Sequence, residues 1–326
     1  HARALAPVGH HGEIVPRRDD PQSPDVVELA PGVTVRRIPA GPAEPLAKSA
    51  QEAHIGAFSE VLAECEPYDL VHSHHWMSGV AALPVARAWG VPHVQSFHSV
   101  AALPGRDLGE GEPPESSGRN EGERVIARES DLVVAVSEYE ARTIIERCGA
   151  NPAQVTVVHP GVDSSVFFPS TEDSPAPVLP CTMSPAGELS PNGYVLFAAR
   201  LQPLKGPDLA LQTIALLPEE ERPDLVMTGD VSQDFRDYRR TLDEMCVSLG
   251  ISQKIRWCGP QTRDGLATLM RGARLMLVPS FSETFGLVAL EANASGIPVV
   301  ASDAGGLGEA IADGRTGVLL LSLIHI

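Results

Sequence analysis

The chain has 326 residues, a formal net charge of −17 and five cysteines. Its length predicts two domains, and its charge argues against nucleic acid or an anionic membrane as a partner, because both would repel an acidic surface. The cysteines stand apart with no C-x-x-C pair, so we expect reduced thiols and no metal site. No secretory signal opens the chain and no apolar run approaches the ~18 residues of a membrane helix, so we expect no integral membrane segment and a cytoplasmic location.

In the first half of the chain, apolar runs of strand length alternate with helical patterns. The predicted strands are "YDLVHSH", "PHVQSFH", "LVVAVS" and "VTVVHPG", and the predicted helices are "SGVAALPVARAWG", "GERVIARESD" and "EYEARTIIERCG". Continuous Val, Ile and Leu runs joined by such helices are typical of a parallel sheet covered on both faces. We therefore assign residues 1–168 to an N-terminal, Rossmann-like domain.

The pattern fails over residues 169–192, which are rich in Pro and Ser and predict an interdomain linker. Alternation resumes from "YVLFAAR" to "PVVAS", so residues 193–326 predict a second domain of the same kind. The predicted fold class is α/β, with two doubly wound parallel sheets facing a cleft. Ligands of such sheets lie at the carboxyl ends of the strands.

Two acids, Glu283 and Glu291, stand in the otherwise apolar stretch "VPSFSETFGLVALEANASGIPVVAS". We expect a helix to begin near Ser282 or Thr284, which places the acids about 12 Å apart, at 1.5 Å per residue. That is too far for an acid/base pair acting on one glycosidic bond, but it suits two hydroxyl-binding carboxylates at opposite ends of a nucleotide sugar. The alternative is an N-terminal acid followed by an ordinary exposed helix Glu.

Two cations, Arg200 and Lys205, follow a predicted strand in "FAARLQPLKGPDL". Lys205 is one of only three lysines in the chain. Cations at a strand end are what a leaving diphosphate requires, because they neutralise the charge that develops as the sugar–phosphate bond breaks. The alternative is a pair of solvated surface cations.

These motifs, together with "VVHPGVDSSVFFP" and "GIPVVASDAGGLGEAIADGRTGVLL", resemble the family 4 retaining glycosyltransferases of the GT-B fold. The resemblance covers nearly all of residues 1–320. It implies a metal-independent hexosyltransferase that needs no cofactor beyond its nucleotide-sugar donor, which we expect to be UDP-linked. It also implies front-face displacement, in which the leaving phosphate helps to deprotonate the acceptor and no protein nucleophile is needed.

The resemblance also implies roles for individual residues. The implied donor-binding residues are Glu283, Thr284, Phe285 and Gly286 at the sugar, Glu291 at the ribose, Arg200 and Lys205 at the diphosphate, and Arg256 along the base. His98, in "SFHS", matches the active-site histidine of the family. The implied catalytic set is therefore His98, Arg200, Lys205 and Glu283.

On the acceptor side, "GPAEPLAKSA", "HSHHWMSG" and "SGRNEGERVIARESD" resemble the D-inositol-3-phosphate glycosyltransferases and, less closely, the sucrose-phosphate synthases. This resemblance places Lys48, Ser99 and Arg119 at an acceptor phosphate. His75 and Ser99 depart from the pattern, which has Tyr and Thr at these positions, and His75 could still donate to a phosphate. For Lys48 and Arg119 the alternative is ordinary surface charge.

Three histidines in "HSHH" could suggest a metal, but alternate residues of a strand point to opposite faces, so at most His72 and His74 share one.

Relative to the family, we expect a first strand and its Gly-rich turn before His1 and closing helices after Leu320, while the tail "LSLIHI" resembles nothing in the family. Two alternatives to a transferase therefore stay open: a non-catalytic nucleotide-sugar-binding fragment, and a nucleotide-sugar epimerase on the same fold. Oligomeric state is not fixed by the sequence.

Overall fold

A computed structural model describes residues 2–101, 116–170, 189–231, 235 and 237–321. These residues form two compact units, of which the first comprises 2–101, 116–135 and 143–156 and the second contains 136–142 and everything described from 157 onward. Most of the predicted linker and the end of the "LSLIHI" tail lie outside the described residues. Within the described ranges, no helix is long and apolar enough to cross a membrane.

The first unit is built on a four-stranded sheet in the order β4-β5-β6-β7, in which β4, β5 and β6 pair in parallel. Its strands are β4 (Val71–His74), β5 (His93–Ser96), β6 (Leu132–Ala135) and β7 (Val155–Val157). Its helices are α1 (Ala2–Leu5), α2 (Lys48–Gln51), α3 (Ile55–Ala63), α4 (Trp76–Trp89) and α5 (Arg119–Glu129). The next helix, α6 (Glu138–Thr143), belongs to the second unit up to residue 142 and leads into a π-helical turn of the first unit, Ile144–Cys148. Helices α3 and α4 pack together through a core that includes Leu62, Ala82 and Val85.

A second, three-stranded sheet in this unit was not expected from the sequence. It consists of β1 (Gly12–Ile14), β2 (Val26–Ala30) and β3 (Val33–Arg36), with β3 in the centre, parallel to β1 and antiparallel to β2. Four of the five β2 residues are exposed, so this strand lacks the apolar alternation by which a half-buried strand is recognised.

The second unit is a six-stranded parallel sheet in the order β10-β9-β8-β11-β12-β13. Its strands are β8 (Tyr194–Ala198), β9 (Asp224–Thr228), β10 (Ile255–Gly259), β11 (Leu275–Val278), β12 (Val299–Ser302) and β13 (Gly317–Leu320). Its helices are α7 (Pro207–Leu216), α8 (Tyr238–Ser248), α9 (Arg263–Gly272), α10 (Leu287–Ala294) and α11 (Leu307–Ala310). The strand order reverses between β8 and β11, which is the doubly wound topology.

Both faces of this sheet are buried, as the continuous apolar runs predict. Along β8, Leu196 lies in one core cluster while its neighbours Val195 and Phe197 lie in another, because successive side chains point to opposite faces. The α/β fold class is confirmed.

Two expectations are wrong in detail. Helix α10 begins at Leu287, after Gly286, so Glu283 lies in the loop before the helix and Glu291 only about one turn inside it. The cause is that Gly286, and not Ser282 or Thr284, occupies the N-cap. Among the described cysteines, Cys65, Cys148 and Cys246 are free as expected, whereas Cys258 is disulfide-bonded.

Candidate active site

A cavity of about 260 Å³ lies in the second unit at the carboxyl ends of β8 and β11. This is the point where the strand order reverses, and it is where doubly wound sheets bind ligands, because the loops from the two strands diverge there and leave a crevice. The cavity is lined by Phe197, Ala198, Ala199, Arg200, Lys205, Leu277, Val278, Ser280, Glu283, Gly286, Leu287 and Val288. The structure thus brings together Arg200, Lys205, Glu283 and Gly286 from the predicted donor site.

The cavity holds a close ion pair, in which Lys205 Nζ donates to Glu283 Oε2 at 2.5 Å. Each side chain is less than one-fifth exposed. The Arg200 side chain lines the same cavity and is exposed. Two cations and one carboxylate therefore face one small volume at the sheet edge.

Lys205 is positioned by a turn that contacts the loop after β11. The 3₁₀ turn Pro203–Lys205 ends at Gly206, which has φ +63°, and a Cβ at Gly206 would overlap the Pro279 carbonyl oxygen. Only glycine fits both the backbone conformation and this close approach. The Leu204 carbonyl also accepts a hydrogen bond from the Phe281 N–H at 2.9 Å, which fastens the lysine turn to the glutamate loop.

Glu291 is not among the residues that line this cavity. It is half-buried on α10, and burial raises the pKa of its carboxyl, with Arg263 opposing that shift. A carboxyl in such surroundings is costly to ionise. The structure therefore places Glu291 in an unusual environment near the donor loop, although not in the cavity itself.

Arg256 is not brought to this cavity either. It is the second residue of β10 and pairs with Asp224, the first residue of β9, with 3.0 Å between Nε and Oδ2 and both side chains buried. Because these strands are parallel, the pair lies toward the amino-terminal edge of the sheet, opposite to the ligand-binding edge. The structure thus gives Arg256 a buried ion pair, and its contact with the base stays a prediction.

The predicted acceptor residues meet in the first unit. Arg119 is buried and donates to Glu123 at 2.8 Å and to the Ser99 hydroxyl at 3.1 Å. Both Glu123 carboxylate oxygens accept from the Ala101 N–H, so this acid fixes Arg119 and also the chain beyond Ser99. Ser99 and Arg119 are thereby held at the end of β5.

His75 and His98 carry a backbone signature of a functional site. They are the two non-glycine residues with positive φ among those the structure describes, at +70° and +60°, and each lies just beyond the carboxyl end of a strand. Such conformations cost of order 1–3 kcal/mol and persist where the surroundings enforce them. Burial, with Lys48 and Arg119 nearby, lowers the pKa of His75 to about 3. Lys48, His75, Ser99 and Arg119 therefore form one local group.

His98 contacts a second histidine. His98 Nε2 and His74 Nδ1 are 2.8 Å apart, with their rings stacked, and the His72 ring lies beside His74 with 4.4 Å between centroids. Burial lowers the pKa of His98 and, with the neighbouring histidines, that of His74 to about 4, which favours the neutral form of both rings. In the part of the chain that is described, no group of three His, Cys, Asp or Glu residues has an arrangement that could hold a metal.

Comparison with protein-family models matches both parts of the chain. Residues 1–161 match the Glycosyl transferase 4-like domain, and residues 185–322 match Glycosyl transferases group 1. A curated D-inositol 3-phosphate glycosyltransferase of Nocardiopsis dassonvillei is 40% identical over 98% of this chain and 75% of that protein. The chain belongs to this glycosyltransferase family.

Further relatives agree with this assignment. The D-inositol 3-phosphate glycosyltransferase of Mycobacteroides abscessus is 38% identical over 98% of this chain and 71% of that protein. Among solved structures, the sucrose-phosphate synthase of Thermosynechococcus elongatus aligns with 99% of this chain and 78% of its own at a TM-score of 0.85 and 24% identity. The structure of Anabaena HepE in complex with UDP and glucose aligns with 89% of this chain and 72% of its own, at a TM-score of 0.68 and 21% identity. The glycosyltransferase and its GT-B fold, both expected from the sequence motifs, are confirmed.

Several residues around the loop that carries Glu283 were not found from the sequence. Ser137 and His159 contact this loop, and Glu309 contacts His159 and the two residues that follow Ser137. The first two lie far from that loop in the chain. Glu309 belongs to the quoted "GGLGEAIADG" stretch, whose Gly-Gly pair was the one available signal of a close backbone contact.

Proposed function

We propose that this glycosyltransferase is a retaining, metal-independent enzyme that moves a sugar from a UDP-sugar to a small phosphorylated polyol such as inositol phosphate. The observation that carries the proposal is the convergence of Arg200, Lys205 and Glu283 on one cavity at the strand-order reversal. Two similarities support it: HepE, similar in fold, has a structure in complex with UDP-glucose, and the curated relatives are named for D-inositol 3-phosphate.

In this proposal the cavity receives the diphosphate and the sugar. Arg200 offers a planar fork of donors and Lys205 a compact charge, and together they stabilise the negative charge that builds on the leaving phosphate. The Glu283 carboxylate accepts hydrogen bonds from the sugar hydroxyls, which fixes the orientation of the anomeric carbon. Glu291, whose predicted contact is the ribose, lies on the helix that follows this loop.

The acceptor is assigned to the group around Arg119. Lys48 is an exposed cation, and Arg119 and Ser99 present a guanidinium and a hydroxyl side by side. His75 Nε2 is buried and has no hydrogen-bond partner among the described residues, so a phosphate oxygen there would satisfy it. Cations and neutral donors in one group suit a phosphate dianion better than an uncharged polyol.

The proposed reaction needs no protein nucleophile. The bond from the anomeric carbon to the β-phosphate oxygen breaks, the acceptor oxygen bonds to the same face of that carbon, and the acceptor proton passes to the leaving phosphate. The lowered pKa of His98 favours its neutral form, and His98 is proposed to contact the sugar at its reacting end. Because both reactants are charged small molecules, we propose the cytoplasm as the site of reaction.

The test is to incubate the protein with UDP-glucose or UDP-N-acetylglucosamine and inositol phosphate, to detect products by mass and to determine the anomeric configuration by NMR. The proposal predicts a glycosylated acceptor that keeps the configuration of the donor. An inverted product contradicts it. Tight UDP binding without transfer to any acceptor favours the sugar-nucleotide-binding alternative, and an epimerised donor without transfer favours the epimerase.

A further inference from the structure

The loop Glu283–Gly286 has no regular structure of its own, yet several other segments of the second unit contact it. The Gly306 N–H donates to the Glu283 carbonyl at 2.9 Å. A Cβ at Gly305 would overlap the Glu283 carbonyl oxygen, and one at Gly306 would overlap that of Thr284. The turn before α11 therefore lies flat against this loop.

A buried serine holds the next residue of the loop. The Ser137 hydroxyl donates to the Thr284 carbonyl at 2.7 Å and accepts from the Glu140 N–H at 2.9 Å. Ser137 belongs to the short segment 136–142, which lies within the same unit as the loop. Its hydroxyl therefore ties the start of α6 to the loop backbone.

A histidine covers the third residue of the loop. The His159 ring stacks on the Phe285 ring, with 5.8 Å between centroids, and its Nε2 contacts a Glu309 carboxylate oxygen at 3.0 Å. Phe285 is buried, whereas the His159 side chain is about half exposed. His159 thus packs on Phe285 from the surface and is not part of the core.

Glu309 connects these contacts. Its carboxylate accepts from the Glu138 N–H at 2.7 Å and the Tyr139 N–H at 3.0 Å, the two residues that directly follow Ser137, and also contacts His159. Burial acts to raise the pKa of Glu309, but these N–H donors and His159 outweigh it and hold the pKa below its usual range. One ionised carboxylate therefore fixes both the serine segment and the histidine.

We propose that Ser137, His159 and Glu309, here called the loop clamp, are positioning residues that hold Glu283 at the hydroxyls of the donor sugar. The inference rests on the proposed function, which assigns Glu283 to the sugar and Arg200 and Lys205 to the diphosphate. Ser137 and His159 contact the sugar-binding loop at Thr284 and Phe285, and the contacts of the clamp among the described residues do not include Arg200 or Lys205. Its removal therefore affects recognition of the sugar and leaves recognition of UDP intact.

The experiment is isothermal titration of UDP and of UDP-glucose or UDP-N-acetylglucosamine, whichever the parent binds more tightly, into the parent, Glu309→Gln, Ser137→Ala and His159→Ala. Loss of a hydrogen bond to a charged group predicts a UDP-sugar dissociation constant raised about tenfold in Glu309→Gln, with that of UDP within about twofold of the parent. Ser137→Ala and His159→Ala follow the same pattern with smaller changes. Glu219→Gln, an exposed acid in the turn after α7, is the matched control and changes neither constant.

The outcomes separate the two proposals. Equal changes for UDP and UDP-sugar, or no change for either, overturn the loop clamp. A parent protein that binds neither ligand contradicts the proposed function and the clamp with it. His159→Ala keeps the test decisive if Glu309→Gln fails to fold, because an exposed side chain is removed without opening the core.

Discussion

Lys205 and Glu283 form an ion pair in the candidate donor cavity, with 2.5 Å between Nζ and Oε2. A partly exposed pair of this kind contributes only about 0–1 kcal/mol to folding, so exchanging partners costs little. In the proposed complex the ammonium turns to the diphosphate and the carboxylate to the sugar hydroxyls. The pair therefore holds both groups ready, each neutralised by the other, before the donor arrives.

This relationship predicts that Glu283→Gln affects the binding of UDP and of the UDP-sugar differently. Without the carboxylate, Lys205 has no competing anion, so UDP binds as tightly as to the parent or more tightly. The advantage of UDP-sugar over UDP falls by about tenfold, because the hydroxyls lose a charged acceptor. Titration calorimetry with both ligands measures this, with Glu219→Gln as control, and weaker UDP binding in Glu283→Gln would contradict it.

The half-buried carboxyl of Glu291 predicts that its substitution raises the stability of the free protein and weakens ligand binding. Burial raises its pKa, so the folded protein retains a proton that the unfolded chain releases, and stability is lost as pH rises from about 4.5 through the raised pKa. Glu291→Gln therefore raises the melting temperature of the free protein at pH 7, by about 2 °C, and raises it less at pH 4. It also weakens UDP binding if Glu291 holds the ribose. A lower melting temperature at pH 7 would show that the ionised carboxylate is stabilising.

Lys48 predicts a change confined to the acceptor. Lys48→Ala raises KM for inositol phosphate about tenfold, because an ammonium–phosphate contact is lost, and leaves KM for the UDP-sugar unchanged. Lys254→Ala is the matched control, since Lys254 lies near the Arg256–Asp224 pair, at the sheet edge opposite to the donor cavity. Initial rates at varied acceptor and at varied donor give both constants. Equal effects of the two substitutions would remove Lys48 from the acceptor site.

Three histidines of the first unit predict sensitivity to acid. Burial lowers the pKa of His75 to about 3 and those of His74 and His93 to about 4. Since the unfolded histidines take up protons near pH 6.5, stability is lost as pH falls below that value, and for His75 the loss approaches about 2 kcal/mol at pH 5. The melting temperature therefore drops between pH 7 and pH 5. His75→Asn reduces the drop, whereas His10→Asn, at an exposed position, leaves it unchanged.

The doubly wound sheet was predictable because both of its faces are buried. Its strands therefore consist of continuous apolar residues, as in β8, and such runs are recognisable in the sequence. The first residue of α10 was not predictable, because its N-cap is a glycine, whereas Ser or Thr is the usual N-cap signal. The strands β1 and β2 are short and mostly unburied, so they leave little periodicity to recognise.

The candidate site likewise contains residues that were predictable from the sequence and residues that were not. Arg200, Lys205 and Glu283 follow strands of one parallel sheet, and the rule that ligands lie at carboxyl ends was enough to bring them together. The same rule does not bring Arg256 to this cavity, since Arg256 is the second residue of β10 and lies toward the opposite edge of the sheet. The loop clamp joins Ser137, His159 and Glu309 from distant parts of the chain, and only the folded backbone reveals that they meet.

The most direct test of the account is calorimetric titration of UDP and of uridine into the parent, Lys205→Ala and Lys254→Ala. If Arg200 and Lys205 bind the diphosphate, UDP binds far more tightly than uridine to the parent and to Lys254→Ala, and Lys205→Ala loses at least about tenfold of that advantage. The affinity for uridine itself stays constant across the three proteins. An unchanged advantage in Lys205→Ala, or equal losses in both lysine variants, would contradict the assignment of this cavity to a nucleotide-diphosphate sugar.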